Sequence, residues 1–170
     1  MTALEPLSTA DLNDAHPGKV RRVALPFKDF GSRRRFAGPV RTAITVEDTL
    51  LVQRDLFCTP GNGAVIVLDG GGSLNTALLG DVNADILVQN GWAGIIINGA
   101  VRDTSRLTAI DLGVKALGTS PIRSGKTGIG AIDVPVAFGN TFFDTRKYVY
   151  CDEDGILVSE EPLSLDVSGS

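Results

Sequence analysis

The chain has 170 residues, of which 43% are hydrophobic and 21% charged, and its formal net charge is −4. This length and balance predict one soluble globular domain with a single core. The negative charge argues against general nucleic-acid binding. An arginine-rich segment near the N-terminus is expected to be solvated or to contact another subunit: Arg21, Arg22, Arg33, Arg34 and Arg35.

The first residues and the apolar runs indicate neither a targeting signal nor a membrane segment. Met1 to Ala10 lacks the basic start and the apolar core of a secretory signal, which predicts a cytoplasmic protein. The longest apolar runs, AVIVL and GIIIN, are far shorter than the roughly 20 residues that span a bilayer. Cys58 and Cys151 have no cysteine or histidine partner nearby, so neither zinc nor redox chemistry is expected of them.

The first half of the chain predicts a short helix and then strands. Ser8 or Thr9 can cap a helix that ends before Pro17 and Gly18. The segments VRRVALPF, RFAGPVRTAITV and GAVIVLDG combine β-branched residues with glycine or proline, which predicts three successive strands. Residues 50–57 predict a helix between the second and the third of these strands.

A four-residue repeat marks the centre of the chain. Leu74, Leu78, Val82 and Ile86 predict a longer helix with an apolar stripe, which Gly91 closes. The segment AGIIIN follows without polar alternation and predicts a strand that is buried on both faces. LGVKALGTS, VPVAF and GILVSE predict later strands.

Strands followed by strands and helices in alternation indicate a layered α/β domain, with sites at strand ends and in loops. We assign residues 1–159 to this domain. Residues 160–170 form an acidic, serine-rich tail that has little to bury, so we expect it to be mobile.

The glycine-rich segment VLDGGGSLN has two interpretations. A strand that enters such a turn and opens a helix presents backbone N–H groups to an anion, and a small carboxylate suits that position. The segment lacks the third spaced glycine of a dinucleotide fingerprint and the Gly-Lys-Ser/Thr ending of a P-loop. Gly70, Gly71 and Gly72 also fit a methyl-donor loop poorly. A tight turn without a ligand is the alternative.

Charged residues flank the apolar segment at the centre of the chain. Asp81 falls within the predicted apolar stripe, where a charge is costly to bury unless it is paired or used. It forms either a structural salt bridge, for example with Arg102, or part of a site. Arg102 and Asp103 follow the predicted buried strand, where a guanidinium suits bidentate carboxylate binding and a carboxylate suits a divalent cation. An exposed surface pair is the alternative for them.

His16 and Lys115 are the residues that bear on metal binding and on Schiff-base chemistry. His16 is the single histidine, so any metal would be held by carboxylates and water, which favours magnesium or manganese over zinc. Lys115 stands between Val114 and Ala116, a setting in which a desolvated lysine can form a Schiff base. A lysine whose stem packs along the core while its ammonium reaches solvent is the favoured interpretation.

Asp81, twenty intervening residues and then Arg102 and Asp103 form a signature within GD…GIIINGAVRD. It resembles the signature of the family that contains 4-hydroxy-4-methyl-2-oxoglutarate aldolases and the regulator of ribonuclease activity A. The segments FGSRRRFAGPVRT, VLDGGGSLNTALLGD, DLGVKALGTSP and DEDGILV extend the resemblance over nearly the whole chain except both tails. The resemblance implies a layered β/β/α swivelling-domain sandwich and a homotrimer with active sites in clefts at subunit boundaries.

The resemblance also separates two functional classes. Members similar to the aldolases keep both aspartates, whereas the regulator binds the RNA-degrading endonuclease E without catalysis and has lost the acidic residues of the signature. Because this chain keeps Asp81 and Asp103, the resemblance favours an enzyme over a binding regulator. Some relatives carry the name of a menaquinone-pathway methyltransferase, and the glycine spacing argues against that activity here.

The implied enzyme is a divalent-metal-dependent lyase that acts on small 2-oxo acids. It would cleave 4-hydroxy-4-methyl-2-oxoglutarate and related 4-carboxy-4-hydroxy-2-oxo acids to pyruvate, and decarboxylate oxaloacetate through the same pyruvate enolate. Asp103 is expected to hold magnesium or manganese, directly or through water. Arg102 would grip the substrate carboxylate and oxygen, and Asp81 would act as the acid/base group.

Backbone N–H groups are expected to complete the carboxylate pocket. Two segments are candidates from the sequence: Gly72 to Leu74, and Leu78, Leu79 and Gly80. The sequence does not decide which of these two segments binds the carboxylate.

Overall fold

A ten-stranded sheet organises the part of the chain that the computed structural model describes, residues 6–165. In chain order the strands are β1 (Val20–Arg22), β2 (Lys28–Asp29), β3 (Phe36–Ile44), β4 (Val65–Asp69), β5 (Ala77–Leu79), β6 (Gly94–Val101), β7 (Gly113–Thr119), β8 (Ala131–Ile132), β9 (Val136–Phe138), β10 (Thr141–Phe143), β11 (Tyr148–Asp152) and β12 (Gly155–Ser159). The helices are α1 (Thr9–Ala15), α2 (Leu50–Val52), which continues as a π-helix (Gln53–Phe57), α3 (Asp81–Gln89) and α4 (Thr104–Leu107).

The centre of the sheet is parallel. Strands β3, β4, β6 and β7 lie side by side in one direction, and β5 pairs with the end of β6 in the same direction. Strands β11, β12 and β1 extend the sheet beyond β3 in antiparallel fashion, and β2 ends it beyond β7. Because parallel strands end at one edge of a sheet, the loops that follow them meet there.

Strand β6 lies at the centre of the core, and all of its residues are buried. Its side chains alternate between two faces of the sheet. Ile95 and Ile97 pack in a cluster with Leu87 of α3, whereas Ile96 packs in a second cluster with Phe138 of β9. Helices therefore cover one face and the β9–β10 hairpin covers the other, as the layered α/β prediction required.

Most of the predicted elements form. Helix α1 begins after Ser8, whose Oγ accepts a hydrogen bond from the N–H of Asp11 at 3.3 Å. The predicted strands correspond to β1, β3, β4, β6, β7, β9 and β12, and the predicted helix at 50–57 forms with a π-helical second half. No strand is predicted where β2, β5, β8, β10 and β11 form. No helix within residues 6–165 is long and apolar enough to cross a membrane.

The prediction of a long central helix from the four-residue repeat is wrong for the first half of that helix. Leu74 lies in a loop and is 50% exposed, Leu78 lies in β5, and α3 begins only at Asp81. The segment before the helix instead pairs with β6, and Gly80 precedes the helix in an extended conformation. Val82 is 66% exposed. The repeat is therefore shared between a strand and a helix and does not form one buried stripe.

The glycine-rich segment after β4 does not open a helix. Gly71 and Gly72 adopt φ angles of 67° and 74°, and the chain turns from them toward β5. Asp69 fixes this turn, because its Oδ1 accepts hydrogen bonds from the N–H of Gly71 and from the side chain of Asn98, both at 2.9 Å. The expected helix N-terminus at this segment is therefore wrong, and the segment forms a tight turn.

Lys115 of β7 is a buried ion-pair residue. It is 2% exposed, so the expectation that its ammonium reaches solvent is wrong. Its Nζ lies 2.9 Å from Oδ1 of Asp29 in β2 and donates a hydrogen bond to the backbone carbonyl of Asp152. Burying an ammonium is tolerable only with such partners, which explains a lysine inside an apolar strand.

Residues that follow Ser159 contact the domain. Oε1 of Glu160 lies 2.6 Å from Nζ of Lys147, and Leu163 packs against a cluster that includes Tyr150. The expectation that this tail has little to bury therefore does not hold for Leu163. The segments 1–5 and 166–170 lie outside the described residues, so for residues 166–170 the expected mobility of the tail stays a prediction.

Candidate active site

The ends of strands β5 and β6 bring the signature residues together. Arg102 and Asp103 follow the last residue of β6, and Gly80 and Asp81 follow the last residue of β5. The N–H of Arg102 donates a hydrogen bond to the carbonyl of Leu79 at 2.9 Å, which ties the two strand ends. The N–H of Asp81 donates to Oδ2 of Asp103 at 3.3 Å. Residues far apart in the sequence thus share one edge of the sheet.

A cavity of about 330 Å³ opens at this edge. Its lining comprises Thr49, Gln53, the segment 77–83, Arg102, Asp103, Arg123, Ser124 and Lys126. Of the two backbone segments left open by the sequence, Leu78 to Gly80 lies in this lining and Gly72 to Leu74 does not. The volume suits a small organic acid, since small-molecule pockets begin at roughly 300 Å³.

Asp103 has an unusual backbone and a carboxylate directed back to β5. Its φ and ψ of 56° and 39° are left-handed, a conformation that aspartate tolerates better than most residues. Its side chain does not cap α4, although Asp103 is the residue that precedes this helix. Oδ2 instead lies 3.6 Å from Nε of Arg102 and accepts the hydrogen bond from Asp81. The left-handed turn therefore aims the carboxylate at the cavity.

Gly80 provides the space for this carboxylate. A Cβ atom at position 80 would lie 2.6 Å from Oδ2 of Asp103 and 3.3 Å from Nε of Arg102. The φ of Gly80 is −129°, which any residue can adopt. Glycine is therefore needed here for the close approach of Asp103 and Arg102, and not for a strained backbone.

Asp81 begins α3 and is paired with an arginine that the sequence analysis does not single out. Oδ2 of Asp81 accepts a hydrogen bond from Nη1 of Arg106 in α4 at 2.8 Å, and Oδ1 accepts one from the N–H of Val82 at 2.8 Å. The guanidinium of Arg106 holds the pKa of Asp81 below its ordinary value. Asp81 is thus a carboxylate at neutral pH, and its suggested salt bridge with Arg102 is replaced by one with Arg106.

Arg102 keeps hydrogen-bonding capacity for a ligand. Its side chain is 31% exposed at the cavity, and its contact with Asp103, at 3.6 Å, is longer than a hydrogen bond. A guanidinium has five N–H donors in a planar fork that matches a carboxylate. Arg102 can therefore accept an anionic ligand without first losing a strong partner.

Two further cations in the lining escape the sequence analysis. Arg123 and Lys126 lie in the loop after β7, and neither has a carboxylate within 4.0 Å among residues 6–165. The only signal in the sequence is their position in a polar loop that follows a strand of the parallel sheet. With Arg102, they give the lining three cationic side chains beside the carboxylates of Asp81 and Asp103.

The donors at the cavity fit a cation that keeps much of its water. Within the described ranges, no group of three or more His, Cys, Asp or Glu side chains is placed to hold a metal ion. Asp103 and Asp81 are the carboxylates in the lining. Magnesium is commonly bound through one or two carboxylates and several waters, so this donor set fits magnesium better than a fully protein-ligated zinc.

A sequence model of the RraA-like family, described as Aldolase/RraA, matches residues 9–158. The chain belongs to this family. Two relatives named "Putative 4-hydroxy-4-methyl-2-oxoglutarate aldolase" show how far the similarity extends. The protein from Azotobacter vinelandii is 45% identical over 92% of this chain and 96% of its own length, and that from Stutzerimonas stutzeri is 47% identical over the same shares.

Solved structures of the family share the fold. The RNA-processing inhibitor RraA from Thermus thermophilus superposes with a TM-score of 0.89 and is 42% identical, with 96% of this chain and 99% of that chain covered. A Geobacillus kaustophilus protein titled S-adenosylmethionine: 2-dimethylmenaquinone methyltransferase also gives 0.89, at 41% identity, with 92% and 97% covered. The predicted family and its layered fold are thus confirmed, while the names of these relatives describe three different activities.

Proposed function

We propose that the chain is a lyase that cleaves 4-hydroxy-4-methyl-2-oxoglutarate, and related 4-carboxy-4-hydroxy-2-oxo acids, to pyruvate. The observation that carries this proposal is the convergence of Asp81, Arg102 and Asp103 on one cavity. The aldolase names of relatives at 45% and 47% identity support it. The volume of about 330 Å³ suits a substrate of this size.

Arg102 would bind the 2-oxo acid end of the substrate. Its fork can donate hydrogen bonds to the carboxylate and the adjacent 2-oxo oxygen, where negative charge develops during cleavage. Donors aimed at developing charge lower the barrier because they interact more strongly with the transition state than with the ground state. The backbone of Leu78 to Gly80 is the neighbouring wall against which the carboxylate would rest.

Asp81 would move the proton. Retro-aldol cleavage removes the proton of the 4-hydroxyl, breaks the bond between C3 and C4, and leaves pyruvate and a pyruvate enolate. Asp81 is held as a carboxylate by Arg106, so it can accept that proton and then deliver it to C3 of the enolate. Oxaloacetate loses carbon dioxide to give the same enolate without hydroxyl deprotonation. One site would therefore support both reactions.

A divalent cation, magnesium or manganese, would act as a Lewis acid on the 2-oxo oxygen. Asp103 would hold it, with water as the remaining ligands, because the carboxylate of Asp103 is aimed at the cavity and Arg106 already pairs with Asp81. Lys115 lies outside the cavity lining and is buried in an ion pair, which argues against a Schiff base.

We also propose a homotrimer whose contacts lie beside the cavity. Large apolar side chains are exposed in the loops after β3, β4 and β7: Val46 (67%), Leu74 (50%), Ile122 (57%) and Ile129 (54%). Hydrogen bonds connect these loops, since Glu47 accepts from Ser73 and the N–H of Ala77 donates to the carbonyl of Ile122. Exposed apolar side chains on connected loops are typical of a subunit contact. Sedimentation of Leu74→Asp and Ile122→Asp variants as trimers would contradict this assignment.

Regulation of an RNA-degrading endonuclease is the second candidate function. The 42% identity to the RNA-processing inhibitor RraA is only slightly below the 45% identity to the aldolase-named relative from Azotobacter vinelandii. Retention of both acidic residues of the signature favours the enzyme. A regulator of endonuclease E would inhibit RNA cleavage by that enzyme and release no pyruvate.

The test is pyruvate release by the purified protein from 4-hydroxy-4-methyl-2-oxoglutarate and from oxaloacetate, followed with lactate dehydrogenase and NADH. We expect turnover of both substrates with added magnesium or manganese and its loss on chelation with EDTA. Absence of pyruvate from either substrate with either ion would overturn the proposal. Activity that survives EDTA and is trapped by borohydride with substrate would replace the metal mechanism with a Schiff base.

A further inference from the structure

We infer that Lys126 binds the substrate carboxylate that is remote from the 2-oxo group and thereby selects 2-oxo acids with two carboxylates. This inference rests on the proposed aldolase function, because it assigns one end of the same substrate. It concerns a residue outside the Asp81, Arg102 and Asp103 signature, in the loop that follows β7.

The ammonium of Lys126 is held in place by neutral acceptors. Nζ donates to Oγ1 of Thr49 and to Oε1 of Gln53, each at 2.9 Å. A lysine ammonium has three N–H donors, so one is left for a ligand. Neither acceptor is charged, and within residues 6–165 no carboxylate lies within 4.0 Å of the Lys126 ammonium, so its positive charge stays available to a ligand at the cavity.

The segments that hold Lys126 are themselves fixed. Asp48 is 2% exposed, and its carboxylate accepts hydrogen bonds from the N–H and hydroxyl of Thr127, from the N–H of Gly128 and from the N–H of Leu50. One buried carboxylate thus joins the loop that carries Lys126 to the start of α2. A cation held by such a scaffold loses little conformational entropy when it binds an anion.

Gln53 lies where the backbone changes from an α-helix to a π-helix. Gln53 begins the π-helix Gln53–Phe57, and π-helical turns occur frequently at functional sites. Its side chain lines the cavity and accepts the hydrogen bond from Lys126. The local change in helix type therefore coincides with the residue that orients the free ammonium.

Arg102 and Lys126 reach the same cavity from separate segments, one after β6 and one after β7. A ligand with two anionic groups can therefore pair one group with each cation. Because Arg102 is assigned to the 2-oxo acid end of the substrate, Lys126 would bind the remaining carboxylate. Arg123 adds positive charge to the lining but makes no side-chain hydrogen bond within residues 6–165 that would hold it in one position. Lys126 is thus the better placed anchor.

The test compares ligands with one and with two carboxylates on the full chain in magnesium buffer. Calorimetric titration of 2-oxoglutarate and of pyruvate gives the two dissociation constants. In Lys126→Gln the affinity for 2-oxoglutarate should fall by about tenfold or more, the effect of losing a charge-assisted hydrogen bond, while that for pyruvate should change by less than about twofold. The exposed Lys28 of β2 gives the control Lys28→Gln, which should alter neither constant.

Kinetics provide a second measurement. The ratio of kcat/KM for 4-hydroxy-4-methyl-2-oxoglutarate over 4-hydroxy-2-oxopentanoate, which lacks the second carboxylate, should fall in Lys126→Gln, mainly through KM. Equal losses for both ligands, or no loss, would overturn the inference. Wild-type protein that cleaves the substrate but binds 2-oxoglutarate no better than pyruvate would overturn it and leave the proposed reaction intact. Selective binding without any cleavage would sustain the anchor and refute the reaction.

Discussion

Replacement of Gly80 by alanine should damage the site and spare the fold. The added Cβ would lie 2.6 Å from Oδ2 of Asp103, whereas ordinary contact begins at 3.4 Å, so the carboxylate must retreat by about 0.8 Å. Nε of Arg102, at 3.3 Å, must also give way slightly. Both atoms belong to the ends of side chains, which can move without the backbone.

The expected magnitudes are different for activity and for stability. A misplacement near 1 Å can cost roughly 100-fold in rate, so kcat/KM for aldol cleavage should fall by about 10- to 100-fold. Alanine is a poorer residue than glycine before a helix, by up to about 1 kcal/mol, but it also restricts the unfolded chain by about 0.4 to 1 kcal/mol. These terms offset each other, and the free energy of unfolding should change by less than about 1 kcal/mol.

The assay is pyruvate release with magnesium, combined with urea unfolding of the same preparation. Gly118→Ala is the matched control, because its Cβ would meet only the side chain of Leu74, at 3.4 Å. It should keep both activity and stability. Full activity in Gly80→Ala would refute the reasoning that Asp103 and Arg102 must approach position 80 for catalysis, and a large loss of stability would show that the clash reaches the backbone.

Three other substitutions test single residues. Asp81→Asn keeps the shape of the side chain but removes the base. The kcat for aldol cleavage should therefore fall by roughly 100-fold or more, with little change in KM. Wild-type rates on both substrates would show that Asp81 has only a structural role. In Arg106→Ala the pKa of Asp81 should rise toward its ordinary value, so the acidic limb of the kcat profile should move to higher pH; an unmoved limb would disconnect this ion pair from catalysis. Burial works to raise the pKa of Asp48, but hydrogen bonds led by that from the N–H of Thr127 lower it to about 2. Because the folded-state pKa is depressed, this carboxylate stabilises the protein above about pH 4 and loses that effect as the pH falls toward 2. Asp48→Asn should therefore lower the free energy of unfolding by about 2 kcal/mol at pH 7, and the difference from wild type should close at low pH; a constant difference would contradict the depressed pKa.

The parallel centre of the fold could be predicted because its strands carry a strong signal. Strand β6 is buried throughout, so its sequence is apolar except for Asn98 and lacks the polar alternation of a surface strand. Strand β5 is only three residues long, and its Leu78 belongs to the same four-residue repeat as Val82 and Ile86 of the following helix. Pairing with β6, a tertiary interaction, decides its conformation, and local periodicity cannot reveal it.

The candidate site was predictable to the extent that its residues follow strands. Arg102 and Asp103 stand directly after the β6 segment, and their spacing from Asp81 matches a family signature. Arg106 and Lys126 could not be found in this way, because an exposed cation next to other polar residues has the pattern of an ordinary surface. The contacts that distinguish them from ordinary surface cations are made to residues distant in sequence, Asp81 for Arg106 and Thr49 for Lys126.

The left-handed backbone of Asp103 limits which residues evolution can place there. Asparagine tolerates this conformation about as well as aspartate, whereas β-branched residues do not. Changing aspartate to asparagine needs one nucleotide substitution and would remove the negative charge without straining the turn. A lineage could therefore abandon the chemistry of this pocket in one mutational step and keep the folded chain available for selection on a different task.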